Sequence, residues 1–157
     1  MKDVKFEIVK LDVYNEVAKD ASYTGAKMTD DENAYARIFT TDDDRLLLER
    51  YWNDACSTLT GALRPFIKLV SENKPSHCVE LEKNYSVTLN VSSRFDDSLQ
   101  GSIKSDMFSY FTNFIVSKWY MYTNKGETEA FASEAAAMLK SIKAKIYYKK
   151  RPEFTNV

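Results

Sequence analysis

"DDSLQGSIKSDMFSYFTNFIVSKWYMYTNKGETEAFASEAAAMLKSIKAKIYY", residues 96–148, predicts two long helices joined by a short turn. In the first half, apolar residues recur at three- and four-residue steps and form one broad face, which is typical of an amphipathic helix. These residues are Leu99, Ile103, Met107, Phe111, Phe114, Ile115, Trp119 and Tyr122. Asp96 or Asp97 is the expected N-cap. The turn at 123–127 is short enough to force the two helices into an antiparallel pair.

The second half carries its own apolar face, directed at the first helix. This face consists of Phe131, Ala135, Met138, Leu139, Ile142 and Ile146. Five alanines between 130 and 137 allow the two helix axes to approach closely. The spacing therefore predicts a mainly α fold organised as an antiparallel helix bundle.

A third long helix is predicted upstream, beginning after an N-cap at Thr40 or Thr41. Its apolar stripe is Leu48, Trp52, Ala55, Leu59, Ala62 and Phe66. Pro65 should kink or end this helix, because proline removes a backbone hydrogen bond. Asp42, Asp43 and Asp44 fall in the first turn, where the helix dipole favours negative charge. We interpret this triplet as helix capping rather than as a metal site.

A further helix is predicted at 13–28, with Val13 and Val17 on one face and Gly25 as its C-cap. Upstream of it, Phe6 and Ile8 either extend the helix or form a short strand. We favour the helical extension.

Residues 77–92 predict an inserted β-hairpin, because apolar and polar residues alternate there with period two. The alternating residues are Val79, Leu81, Tyr85, Val87, Leu89 and Val91, and the turn falls near Lys83 and Asn84. An isolated hairpin is only marginally stable in water, so it must pack against another part of the protein or against a partner. It either packs on the helices of its own chain or reaches a neighbouring subunit.

The composition indicates one globular domain over 1–157. Hydrophobic residues make up 44% of the chain and charged residues 29%, and the net charge of −1 predicts no general attraction to nucleic acid. The charge is uneven, however: residues 1–56 hold 13 acidic and 8 basic residues, whereas 140–151 hold 6 basic residues and no acidic one. Such a chain is suited to pairing head to tail with copies of itself or to meeting two different partners.

No pattern of catalytic or metal-ligating residues stands out, so we predict a protein that is not an enzyme and uses no metal or cofactor. The four glycines are scattered and form no phosphate-binding loop. His77 is the only imidazole, and the adjacent Cys78 would point to the opposite face of a strand. No apolar run is long enough for a membrane span, and the N-terminus is too charged for a signal peptide. We expect synthesis in the cytoplasm with reduced thiols.

Three stretches resemble the small helical structural proteins of tailed phages of Bacteroidetes, including the crAss-like phages. They are "YNEVAKDASYTGAK" at 14–27, "IFTTDDDRLLLERYW" at 38–52 and "KWYMYTNKGETEAFASEAAAMLKSIKAKIYYKKRP" at 118–152. In that class a Trp-containing helix, a short turn, a glutamate- and alanine-rich helix and a lysine-rich end recur. The class is the head–tail connector or adaptor, a ring protein stacked under the portal. The strand pair at 77–92 is a departure from the simplest four-helix adaptor.

The resemblance implies a structural virion protein at the head–tail junction, made in the host cytoplasm. It implies a ring of probably twelve copies that contacts the portal protein and the next ring or tail protein, while DNA passes through the lumen without specific binding. The C-terminal tail at 147–157 would be extended and would dock on the portal. The docking residues would be Ile146, Tyr147, Tyr148, Lys149, Lys150, Arg151, Pro152 and Phe154.

Contacts between subunits are expected at the hairpin residues Tyr85, Val87 and Leu89 and at Asp42, Asp43 and Asp44. The alternative function is a small cytoplasmic regulatory module that binds protein or nucleic acid through its basic C-terminal end.

Overall fold

The structure, a computed structural model, describes residues 1–21, 38–39, 41–71, 83–123 and 125–149. Within these residues there are four α-helices: α1 Lys10–Ala21, α2 Asp42–Leu63, α3 Gln100–Thr123 and α4 Lys125–Tyr147. Three strands accompany them: β1 Lys2–Ile8, β2 Ile67–Val70 and β3 Tyr85–Val91. The predicted fold class, mainly α with an inserted β-hairpin, is confirmed. None of the described helices is long and apolar enough to cross a membrane.

The three strands form one antiparallel sheet in the order β1-β3-β2. Val4 pairs with Leu89 and Ile8 with Tyr85, so the apolar residues of both strands share the face that is buried under the helices. The opposite face carries mostly polar side chains, and there the Lys68 ammonium contacts the Asp3 carboxylate at 2.6 Å. A sheet with one dry and one wet face needs this alternation along its strands.

The first strand corrects one prediction: Phe6 and Ile8 belong to β1, not to an extension of a helix. Residues 2–8 alternate between exposed or half-exposed and buried side chains, which is the strand period of two. The helix begins only at Lys10, whose backbone N–H donates to the Asn84 side chain at 3.0 Å. The predicted C-cap at Gly25 lies outside the described residues.

The predicted strand around Tyr85–Val91 is confirmed as β3, and it packs on the helices of its own chain. In the described part of the chain its two neighbours are β1 and β2. The proposed partner strand around Val79 and Leu81 lies outside the described residues. β2 was not predicted, because its four residues are too few to display an alternation of their own.

The ends of α2 follow from its sequence. The Thr41 hydroxyl accepts a hydrogen bond from the Asp44 N–H at 3.2 Å, which satisfies one of the free donors at the helix start. The helix ends at Leu63, and Arg64–Phe66 form a 3₁₀ turn around Pro65 before β2 begins. Both the cap and the proline stop were predicted.

Helices α3 and α4 form the predicted antiparallel pair, since contacts join the start of one to the end of the other. The Asp106 carboxylate of α3 accepts from the Ser141 hydroxyl at 2.7 Å and from the Lys145 ammonium at 2.6 Å. At the other end, the rings of Tyr120 and Phe131 lie 5.4 Å apart. The predicted apolar faces meet here, although the side chain of Tyr122 lies outside what the structure describes.

The core is centred on Phe111 of α3. Its ring stacks on Trp52 of α2 at 4.6 Å and lies 5.3 Å from Tyr85 of β3 and 5.6 Å from Tyr110. Aromatic contacts of this kind add roughly 0.5–1.5 kcal/mol each beyond burial of their area. One residue thereby ties together the sheet and two helices.

A buried ion pair lies beside this aromatic cluster. The Lys10 ammonium donates to both carboxylate oxygens of Glu49, at 2.8 and 2.9 Å, and the Tyr14 hydroxyl donates to the same carboxylate at 2.8 Å. Lys10 and Glu49 are only 2% and 3% exposed, so water does not screen the two charges. The pair fixes the start of α1 against the middle of α2.

We expect Lys10→Met to destabilise the protein by about 3–5 kcal/mol, because it leaves the Glu49 carboxylate buried without its cation. The triple variant Lys10→Met/Tyr14→Phe/Glu49→Leu should recover most of this loss, since it removes every polar member of the group. Urea unfolding followed by circular dichroism measures both. Equal losses in the single and triple variants would show that packing, not charge, dominates at this site.

The buried hydroxyl of Tyr85 makes the free energy of unfolding depend on pH in the alkaline range. Burial raises the pKa of its hydroxyl from 10.0 to about 12, while a hydrogen bond with Thr60 acts in the opposite direction. Above pH 10.0 the unfolded tyrosine loses its proton and the folded one keeps it up to about pH 12, so stability falls through this window. Urea titrations should show a decline that is steeper in the wild type than in Tyr85→Phe, by up to about 1.4 kcal/mol per pH unit. Parallel declines would contradict this assignment.

Candidate docking surface

The end of α4 presents two exposed aromatic side chains. Ile142 and Ile146 face the core, and the next two residues turn away from it because each residue rotates the helix by about 100°. Tyr147 is 61% exposed and Tyr148 55% exposed, whereas Ile146 is 5% exposed. The buried side chain of Ile146 therefore fixes the rotation of the helix end, so that Tyr147 and Tyr148 face solvent.

The edge strand β2 lies beside this helix end. The rings of Phe66 and Tyr147 lie 4.9 Å apart at an angle of 74°, which brings the 3₁₀ turn before β2 against the end of α4. Further along β2, Leu69 is 66% exposed and Val70 37% exposed. We call the surface formed by Phe66, Tyr147 and Tyr148 the tyrosine surface.

Two backbone contacts hold the tyrosine surface in place. The Tyr148 N–H donates to the Ala144 carbonyl at 3.0 Å, which prolongs the helical hydrogen bonding by one residue. Lys149 forms an isolated β-bridge with Phe95, just before the turn that starts α3. The exposed aromatic rings consequently sit on a backbone that is tied to the body of the protein.

The arrangement is suited to contact rather than to chemistry. Tyrosine combines a large apolar ring with a polar tip, and it is enriched at protein interfaces. An edge strand also offers backbone hydrogen-bonding groups to an added strand. Lys149 is exposed beside the tyrosines and favours a partner surface with negative charge.

The predicted docking residues divide into three groups. Tyr147, Tyr148 and Lys149 lie together on the surface. Ile146 does not, because its side chain is buried against the core of its own subunit, and its role in docking stays a prediction. The remaining four, Lys150, Arg151, Pro152 and Phe154, lie outside the described residues, as does most of the predicted extended tail.

The predicted contacts between subunits also divide. Tyr85, Val87 and Leu89 are 0–1% exposed, because they lie in the core of their own subunit, and their contact with a neighbour stays a prediction. Their strand packs inward because its apolar face is covered by the helices. Asp42 and Asp43 are exposed at the start of α2, Asp44 is half-exposed, and their role between subunits stays a prediction.

Sequence reasoning missed Phe66, Leu69 and Val70 as surface residues. Phe66 was assigned to the apolar stripe of α2, but that helix ends at Leu63, before Phe66 is reached. The available signal was the sequence "PFIKLV" at 65–70, in which a proline is followed by residues that favour strands.

The described residues contain no group of three or more His, Cys, Asp or Glu side chains placed to hold a metal ion. Cys56 lines a cavity with Ser57, Thr60, Arg64 and others, yet the residue is only 1% exposed. Burial raises the pKa of its thiol, which keeps the sulfur protonated and weakly nucleophilic.

A scan against protein-family models and searches of curated proteins and of solved structures found no match.

The unfolding free energies of variants at positions 146 and 148 should distinguish a core residue from a surface residue. We expect Ile146→Ala to cost about 2–5 kcal/mol of unfolding free energy, because it opens a cavity under α4. Tyr148→Ala should change it by no more than about 0.5 kcal/mol, since its ring is exposed. Urea unfolding of the two variants provides a matched comparison, and similar losses would mean that Tyr148 belongs to the core.

Proposed function

We propose that the protein is a structural subunit of a phage head–tail connector ring and that the tyrosine surface docks on the portal. The observation that carries this proposal is the exposure of Tyr147 and Tyr148 on a firmly held helix end, beside the outermost of the described strands. Large exposed apolar groups on an ordered backbone are typical of a surface that another protein covers. The resemblance to connector proteins of Bacteroidetes phages supplies the identity of that partner.

The architecture supports a mechanical role. The paired helices α3 and α4, joined to the sheet through one aromatic core, give a rigid body that transmits load between two ring interfaces. Docking requires little ordering of the backbone, because Lys149 and Tyr148 are already tied down. A preorganised surface binds with a smaller entropy loss than a flexible one.

In this role the protein joins one ring to the next, seals the junction and leaves a channel for DNA. The subunit carries no catalytic step. Its net charge of −1 is compatible with a lumen through which DNA slides without being retained.

We expect closed rings when the full chain is mixed with the portal protein encoded by the same genome. The resemblance to connector proteins implies about a dozen copies in each ring. Negative-stain imaging and native mass spectrometry, at low and high protein concentration, would detect them. A protein that stays monomeric both by itself and with the portal would contradict the proposal. Salt-sensitive binding to short DNA duplexes by such a monomer would favour the regulatory module instead.

The double variant Tyr147→Ala/Tyr148→Ala tests the docking surface directly. It should weaken portal binding by at least about tenfold, because interface tyrosines commonly contribute more than 1 kcal/mol each. Val9→Ala/Leu11→Ala is the matched control, since these two residues are 40% and 38% exposed on another part of the surface. Equal binding by both double variants and the wild type would remove the tyrosine surface from the portal interface.

A further inference from the structure

We propose that neighbouring copies in the ring are joined by inserting the start of α2 into a groove between α3 and α4. This inference rests on the proposed function for the existence of the ring. The tyrosine surface is proposed to bind the portal. The contact proposed here is a different one, between two copies of this chain.

The α3–α4 groove is an apolar depression of about 280 Å³. Its walls include Phe114 and Met121 of α3 and Leu139 of α4, with Ala132 and Ala136 leaving room between them. Met121 is 47% exposed, although it is a large apolar residue. The groove therefore offers an apolar surface and enough volume for an apolar side chain.

Lysines outnumber acidic residues around the groove. The Lys118 ammonium lies 5.5 Å from the centre of the Phe114 ring, within cation–π distance. Lys140 and Lys143 are exposed and follow Ala136 and Leu139 by four residues, which places them on the same side of α4. Two exposed acidic residues also lie near the groove: Glu129, three residues before Ala132 on α4, and Asp54, four residues before Thr58 on α2. An occupant that combines an apolar side chain with carboxylates would match this surface.

The start of α2 has that combination. Asp42 and Asp43 are exposed in its first turn, and Leu46 is 37% exposed. Leu46 lies four residues after Asp42 and three after Asp43, so the leucine projects between the two carboxylates on one face of the helix. The acidic triplet thus has a use beyond capping: it would flank an apolar side chain that enters the α3–α4 groove.

A subunit cannot place this helix start in its own groove. The Arg45 guanidinium donates to the Phe39 carbonyl at 2.8 Å, and the Phe39 ring packs on Trp119 of α3 at 5.1 Å. Trp119 follows Phe114 by five residues, which turns its side chain by about 140° around the α3 axis. The first turn of α2 therefore lies on a different side of α3 from the groove, although Thr58, sixteen residues after Asp42 on the same helix, lines the groove.

The contact consequently has to form between two copies. It is heterologous, because each copy contributes its α2 start to one neighbour and its groove to the other. Contacts of this type close into a ring when the rotation between copies divides a full turn. The acidic first third of the chain and the basic region after 140 then meet at every junction around the ring.

Charge reversal tests the contact in the full chain, with rings assembled on the portal and counted by native mass spectrometry. Lys118→Glu and the double variant Asp42→Lys/Asp43→Lys should each lower the fraction of assembled rings by at least about tenfold, because like charges would face each other at every junction. Combining the changes in one chain should restore assembly. Lys5→Glu, an exposed reversal on β1, is the matched control, and circular dichroism verifies that every variant is folded.

The outcomes separate this contact from the proposed function. Rings that form normally with either reversal, or a combined variant that fails to assemble although it is folded, would overturn the contact and leave the connector role standing. A wild-type protein that forms no ring on the portal would overturn the connector role itself. Loss with each reversal and recovery in combination would establish the contact.

Discussion

The apolar circumference of α3 is the constraint on which the rest of the structure depends. Buried side chains occur on several sides of this helix, and a helix that is apolar nearly all round has to be covered. Helices α1, α2 and α4 and strand β1 all contact it. Phe111 is the residue of α3 at which two of these elements meet, because its ring contacts both Trp52 of α2 and Tyr85 of β3. The positions of the remaining elements follow from the need to cover α3.

The tyrosine surface is a product of the same packing. Ile146 completes the cover over α3, and the turn of the helix then forces Tyr147 outward. Pro65 ends α2 at the point where Phe66 can meet that tyrosine. The packing of Ile146 in the core therefore sets the direction in which the exposed tyrosine rings point. No separate interaction is needed to orient them.

The sequence predicts the helices well because their signals are local. The spacing of Ile103, Met107 and Phe111 and the cap at Thr41 lie within single segments. The strands were harder to predict. Val4, Phe6 and Ile8 alternate with polar residues, but the segment is short and runs directly into α1, so the helical extension was favoured. β2 contains residues that favour strands, but four residues are too few for an alternation of their own. Ile146 illustrates a conflict within the prediction, since its spacing already placed it on the inner face of α4 while the resemblance placed it in the docking group.

The pairing of β1 with β3 has a consequence for how the protein is made. The N–H of Lys10 reaches Asn84 across 74 residues, and β1 likewise meets a strand that is synthesised much later. At about 5–20 residues per second, translation separates the two by on the order of 4–15 s. Throughout that interval Val4, Phe6 and Ile8 lack their partner strand β3. Pairings between strands that are distant in sequence also slow folding. The N-terminal strand is therefore the part of the nascent chain most in need of shielding on the ribosome.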